Sequence, residues 1–379
     1  MYARLLKVPA KQSFFLFGPR GTGKTAWTKS TYPGALTFDL LDAHIYARLL
    51  ANPASLSELI PASHHDWVVI DEVQRAPALL DEVHRLIESR RLRFALTGSS
   101  ARKLRRGGVN LLAGRALTRF MHPLMASELG QDFDLKRAVR FGCLPFVWTT
   151  DTPADYLGAY TTTYLREEVL QEGLTRNLAA FSRFLEAASF SQAQVLNIAS
   201  VSRESAIAPK LAEAYFSILD DLLIAVRIPP FTKRAKRRLT MHPKFFFFDA
   251  GVFRAVRPKG PLDSPEEADG PALETLVLAH LRAWNDYGAH GCALSYWRTP
   301  QGDEVDFIVY GEGIFTAIEV KRTARIREED LRGLMRFKQD YPKTRPVLLH
   351  PGTRRYHQTG VEIVPLADAL ADLDAVLIG

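Results

Sequence analysis

Cysteine is nearly absent. Cys143 and Cys292 are the only two in 379 residues, far apart and without metal-type spacing. That excludes a disulfide framework and a cysteine-based zinc site, and it points to a reducing, cytoplasmic setting. No apolar run nears the roughly 20 residues that cross a bilayer. The run Phe14–Phe17 is too short for a secretory core, so neither a leader nor a membrane partner is expected. Histidines such as His44, His64, His65, His84, His122 and His242 show no ligand-type pairing and read as surface or packing residues. Acidic residues are missing from one long stretch and almost missing from another. Residues 90–119 hold nine Arg or Lys and no acid, and residues 225–260 hold ten and a single acid, Asp249. With a net charge of +7, such stretches either attract phosphate backbones or form solvated basic faces. Hydrophobic residues at 47% and charged residues at 24% are ordinary for a globular chain, and the length implies two or three domains.

What is present begins at residue 18. Phe14-Phe15-Leu16-Phe17 reads as a buried strand, Gly18-Pro19-Arg20-Gly21-Thr22-Gly23-Lys24-Thr25 as a phosphate-binding turn, and a helix follows. Gly18, Gly21 and Gly23 let backbone N–H groups wrap phosphate oxygens. Lys24 reaches the β- and γ-phosphates, and the Thr25 hydroxyl is placed for Mg²⁺. The alternative is a turn that only joins strand to helix. Ala35–Asp39 reads as a second strand. Trp67-Val68-Val69-Ile70-Asp71-Glu72 is a third, ending in two acids: Asp71 to hold Mg²⁺ through water, Glu72 to polarise the attacking water. A small-molecule kinase has little need of that Glu, so the pair favours ATP hydrolysis. A fourth strand, Phe94–Thr97, runs into Gly98-Ser99-Ser100. A polar residue at its end would lie between the two previous ones, where Thr97 or Ser99 can meet the γ-phosphate or the water. Arg115, after Leu111-Leu112-Ala113-Gly114, either neutralises transition-state charge, in its own or a neighbouring subunit, or caps a helix or binds a phosphate backbone. A neighbour's role would require a homo-oligomer. Alternating strands and helices give an α/β domain with a parallel sheet over residues 1–130, with nucleotide at the strands' C-terminal ends.

Together, Gly-Pro-Arg-Gly-Thr-Gly-Lys-Thr, Val-Val-Ile-Asp-Glu-Val-Gln, Leu-Thr-Gly-Ser-Ser and Leu-Ala-Gly-Arg followed by Pro-Leu-Met-Ala-Ser-Glu-Leu resemble a bacterial and archaeal family of AAA-type P-loop ATPases. In that family the ATPase carries a C-terminal domain of unknown function, and the resemblance covers essentially the whole chain. It implies a winged helix after the ATPase and a restriction-endonuclease-like domain at the end.

Residues 131–260 fit the first implication. Helices are expected over 156–174 and 178–188, a short one at Val195–Ala199, Ser202 as a cap, and an amphipathic helix over 210–222. β-type sequence follows at Leu223–Val226 and Phe245–Asp249. Helices then a hairpin is the winged-helix order, and Lys233-Arg234-Ala235-Lys236-Arg237-Arg238 forms a basic tip. The tip suits DNA phosphates rather than base edges; the alternative is packing against protein.

Residues 265–379 carry the second. A helix over 271–284 bears Glu274, and strands are expected at 294–298, 304–309 and 315–321. Glu319 and Lys321 are two apart and share a strand face, and Asp306 approaches from the hairpin partner. Asp306 and Glu319 would bind Mg²⁺, Glu274 would complete its shell, and Lys321 would orient the water or offset phosphorane charge. This resembles the endonuclease-like core named for its Pro-Asp…(Asp/Glu)-x-Lys motif, with Val305 where the name has Pro. Two readings stand: an ATPase acting on DNA through a winged helix and a metal-dependent nuclease-like domain, or an ATP-driven switch whose inactive nuclease-like fold binds DNA or a protein. A small-molecule kinase is disfavoured by Glu72 and the basic carboxyl half.

Overall fold

The computed structural model describes residues 2–100, 115–165, 169–170, 177–258, 260 and 264–378. The Leu-Leu-Ala-Gly stretch at 111–114, the basic residues at 102–106 and part of the helix expected over 156–174 lie outside these residues. The chain forms two compact units, one of residues 4–122 with 221–223, the other of 1–3, 123–220 and 224–379. Among the described residues no helix is long and apolar enough to cross a membrane.

The amino-terminal unit is an all-parallel sheet of five strands in the order β2-β3-β4-β1-β5. The strands are β1 Ser13–Phe17, β2 Leu36–Asp39, β3 Trp67–Asp71, β4 Arg93–Gly98 and β5 Ala116–Phe120. Strands β1 and β3 are buried along their whole length, as continuous apolar runs covered on both faces must be. Phe15, Phe17, Val68, Ile70, Phe94 and Leu96 pack with the inward face of helix Leu79–Arg90. The order sets β4 between β1 and β3, which brings three strand ends to one rim.

The second unit holds two sheets. Helices Leu178–Ser189, Ile198–Glu204 and Pro209–Asp221 accompany a three-stranded antiparallel sheet, β6-β8-β7, made of β6 Gln194–Val195, β7 Ala225–Ile228 and β8 Lys244–Phe247. The short helix expected at Val195–Ala199 is shifted. Gln194 and Val195 pair with β8, and the helix begins after Asn197, whose side chain accepts the Ser200 N–H. Ser202 lies inside that helix, where its hydroxyl donates to the Ile207 carbonyl at 2.7 Å, and is no cap. The second sheet runs β13-β14-β12-β11-β10-β9: β9 Ala293–Arg298, β10 Glu304–Gly311, β11 Ile314–Val320, β12 Arg345–His350, β13 Tyr356–Gln358 and β14 Val361–Pro365. Helix Asp269–Tyr287 packs beside β11.

The loop after β7 is docked rather than free. Phe231 donates its N–H to the Tyr296 carbonyl of β9 at 2.7 Å, and its ring packs against Tyr310, Phe315, Phe337 and Tyr341. Arg237 of the basic tip makes a two-point ion pair with the buried Asp340 carboxylate. Lys233, Arg234, Lys236 and Arg238 stay exposed.

One junction depends on glycine. Asp249 caps helix Ala250–Val256 through the Gly251 and Val252 N–H groups, and its second oxygen accepts the Cys143 N–H at 2.8 Å. Gly142 beside it has φ 74° and ψ −165°, a region essentially reserved for glycine, and a Cβ there would lie 2.0 Å from Asp249 Oδ1. Gly142→Ala is expected to cost about 3 kcal/mol or more of folding stability. Urea unfolding followed by fluorescence reads it; a loss under about 1 kcal/mol would contradict this account.

Candidate functional site: a nucleotide rim and a carboxylate cavity

The first site lies where β1, β3 and β4 end. Residues 18–23 turn between β1 and helix Lys24–Thr31. Gly18 has no room for a side chain, since a Cβ would meet the Met121 carbonyl at 2.4 Å, whereas Gly23 adopts φ 92° to swing the chain into the helix. Thr22 closes the turn by donating to the Pro19 carbonyl at 2.9 Å, with Arg20 and Gly21 half-buried at its crest. Lys24 is buried, and its ammonium lies inside the turn, 2.7 Å from the Gly18 carbonyl and 3.2 Å from that of Pro19.

Asp71 at the end of β3 gathers the hydroxyls. Thr25 donates to one carboxylate oxygen at 2.6 Å and Thr97 donates to the other. Two hydroxyls on one buried carboxylate form a hard-oxygen set that fits Mg²⁺, which when bound would neutralise β- and γ-phosphate charge. Glu72 follows in the left-handed region at φ 59°, so the chain breaks from the strand there, and its N–H donates to Asp71 Oδ1 at 3.2 Å. Its carboxylate accepts from the Gln74 amide, which also donates to Ser99 Oγ at 3.1 Å. Gln74 was not among the residues expected from sequence. It ties the acid of β3 to the Ser of β4, and a Cβ on Gly98 would strike its oxygen at 2.4 Å. Arg115 lies elsewhere: it pairs with Glu88 of helix Leu79–Arg90, and both are well exposed.

The second site is a cavity of roughly 320 Å³ in the second unit, lined by Lys244, Glu274, Glu304, Asp306, Glu319 and Lys321 among others. A bulge between Val305 and Ile308 in the β9–β10 pairing breaks the regular register beside Asp306. Asp306 Oδ2 accepts the Val320 N–H at 2.9 Å, and Oδ1 faces Lys244. Glu319 Oε1 accepts from Lys321 at 2.8 Å. Its Oε2 is buried with no hydrogen-bond partner among the described residues. Burial, then the neighbouring Asp306 charge, pushes the Glu319 carboxyl up to about 8, and burial likewise holds Glu274 well above the ordinary carboxylate range.

The expected acids and Lys321 are thus brought together, with two residues that sequence reasoning missed. Glu304 lies at the start of β10, and Lys244 at the start of β8. Lys244 is 2% exposed, with its ammonium 2.7 Å from Glu304, 2.9 Å from Glu274 and 3.0 Å from Asp306. Burial opposes its charge, but the three acids outweigh that and hold its pKa well above the usual lysine value. The signal was available: a lysine opening the run Phe245–Phe248 in a wholly buried strand must find carboxylates. Among the described residues no group of three or more Asp, Glu, His or Cys side chains is arranged to hold a metal ion. Of the carboxylates expected to bind Mg²⁺, Glu274 and Asp306 face the Lys244 ammonium and Glu319 faces Lys321.

Comparison with known proteins bears on the first site. Residues 10–130 match an AAA domain family. The match supports an AAA-type P-loop ATPase, a family that generally uses ATP and Mg²⁺. Residues 132–263 and 269–369 match two domains of unknown function, DUF8612 and DUF4143. Uncharacterized proteins of Mycobacterium bovis and Mycobacterium tuberculosis are each 25% identical over 371 residues, 95% of this chain and 81% of theirs. Among solved structures, an Aeropyrum pernix ORC1 protein in complex with DNA is 12% identical with a TM-score of 0.29, over 66% of this chain and 87% of that one. A Vibrio cholerae protein is 14% identical with a TM-score of 0.23, over 96% of both chains. Both likenesses are loose and carry nothing about function.

Proposed function

We propose that the chain hydrolyses ATP with Mg²⁺ and uses the cycle to alter how its carboxyl-terminal half engages DNA. The observation that carries the hydrolytic part is the convergence of Lys24, Thr25, Asp71, Glu72 and Thr97 on one sheet rim. Lys24 holds the phosphates, Asp71 with Thr25 and Thr97 forms the metal-side oxygen set, and Glu72, steadied by Gln74, polarises the water. Arg115 is exposed enough to serve a neighbouring subunit in a homo-oligomer.

The DNA part is supported by the winged-helix order of residues 178–247, with Lys233, Arg234, Lys236 and Arg238 exposed on the connecting loop. These side chains suit phosphate contacts, so binding should weaken as salt rises. The buried cysteines suit a reducing cytoplasm. The meeting of Asp306, Glu319 and Lys321 supports a nuclease-like carboxyl domain. A second reading, an ATP-driven switch whose nuclease-like fold does not cleave, is favoured by the Lys244 ammonium among the carboxylates.

Plasmid DNA incubated with Mg²⁺, with and without ATP, separates them. Cleavage by the native chain that disappears in Lys321→Ala supports a nuclease, and its loss in Lys24→Ala ties it to nucleotide. Salt-sensitive binding without cleavage under Mg²⁺ or Mn²⁺ leaves the switch. Binding indifferent to salt would remove the DNA reading.

A further inference from the structure

The carboxylate cavity already contains a cation, and that cation is covalently part of the chain. Lys244 cannot easily withdraw. It pairs with Val195 of β6 on one side and Ile228 of β7 on the other, so its Cα is fixed in the central strand of a sheet. The side chain is fully packed and ends between Glu274, Glu304 and Asp306. A divalent ion on the same oxygens would stand beside the buried ammonium, where like charges repel. Yet one carboxylate oxygen in the cavity is unused, the other being held by Lys321. Glu319 is 8% exposed, lines the space, and keeps its Oε2 buried without a hydrogen-bond partner among the described residues. With Oε1 taken by Lys321 and burial raising the carboxyl pKa, a full charge on Glu319 is costly, and a hard cation at Oε2 would offset it.

We propose that Lys244 is the built-in buried cation of this cavity: its ammonium stands where a divalent metal would, so the native chain binds none there, and neutralising it lets Glu274, Asp306 and Glu319, not arranged for metal in the native chain, close on a divalent cation. The inference rests on the nuclease-like reading of the cavity. It differs from an ordinary buried ion pair in a checkable way. Loss of one partner of a buried pair usually leaves only an uncompensated charge, whereas here the remaining carboxylates gain a ligand.

The test titrates nucleotide-free protein with Mn²⁺, followed by electron paramagnetic resonance and calorimetry. The native chain and Asp306→Asn should give the same isotherm, because neither binds metal in the cavity. Lys244→Met should gain one Mn²⁺ per chain, at least about tenfold tighter than any native binding, and lose it again in Lys244→Met/Asp306→Asn. Lys244→Arg keeps a cation and should behave as native. A native Mn²⁺ site removed by Asp306→Asn overturns the proposal, and that comparison decides even where Lys244→Met does not fold. A folded Lys244→Met that gains no Mn²⁺ also overturns it. Cleavage of plasmid by Mg²⁺-loaded native protein, lost in Asp306→Asn, would remove this inference and keep the nuclease. A metal gained in Lys244→Met without cleavage would keep the inference and remove the nuclease.

Discussion

Glu72→Gln is expected to lower phosphate release from ATP by roughly 10²- to 10³-fold while ATP affinity stays within about twofold, the range set by loss of a general base. The change removes a negative charge and leaves shape almost untouched, and the new amide oxygen can still accept from Gln74. The binding elements are separate residues. The Lys24 ammonium donates to the Gly18 and Pro19 carbonyls and Asp71 accepts from Thr25 and Thr97, whereas the Glu72 carboxylate accepts from Gln74. Lys24→Ala should show the opposite pattern, with affinity lost first. Phosphate release beside equilibrium binding of a fluorescent ATP analogue reads both. Release within about fivefold of native in Glu72→Gln would mean that the water is polarised elsewhere.

That prediction could be framed before any coordinates because its residues are contiguous or end a readable strand. Eight consecutive residues spell the turn, and an apolar run closing on two acids marks β3. Thr97 and Ser99 are both candidates at the end of the fourth strand, and β4 falls between β1 and β3 in the sheet. What escaped was whatever depends on distant pairing. Gln74 is an ordinary polar residue until Glu72 turns left-handed beneath it. Residues 194–195 have no strand signature of their own and become β6 only because β8 lies alongside. Lys244 pairs with acids 30 to 62 positions away, on a helix and a strand of another sheet. The basic tip is legible only in part for the same reason: its charge is visible in sequence, but the aromatic dock of Phe231 and the burial of Asp340 against Arg237 are tertiary.

Acid stability offers the second large effect, centred on His280 in helix Asp269–Tyr287. The ring is buried, its Nδ1 is 2.8 Å from the Leu276 carbonyl, and its Nε2 accepts the Ala126 N–H at 2.9 Å. Those partners assign the proton to Nδ1, and only the neutral ring can accept from Ala126. Burial lowers the pKa from 6.5 to about 4, against the pull of the Leu276 carbonyl. Because the folded value lies below the unfolded one, this contribution is complete above pH 6.5 and is lost as pH falls toward and through 4, a total of roughly 3 kcal/mol. Asp249 runs the other way. Burial raises it from 3.8 to about 6 against its three N–H donors, so its contribution is complete below 3.8 and lost as pH rises through 6. Between these limits the two oppose each other, so the His280 contribution is read as a difference between native and variant rather than from the native profile. His280→Gln exposes the compensation: its amide oxygen can still accept from Ala126, but it cannot titrate. The stability advantage of native over His280→Gln should therefore shrink by roughly 2 to 3 kcal/mol between about pH 7 and about pH 4.5 in urea unfolding. A difference that stays constant across that window would show that His280 keeps its proton balance on folding, and that the Ala126 contact does not depend on the neutral ring.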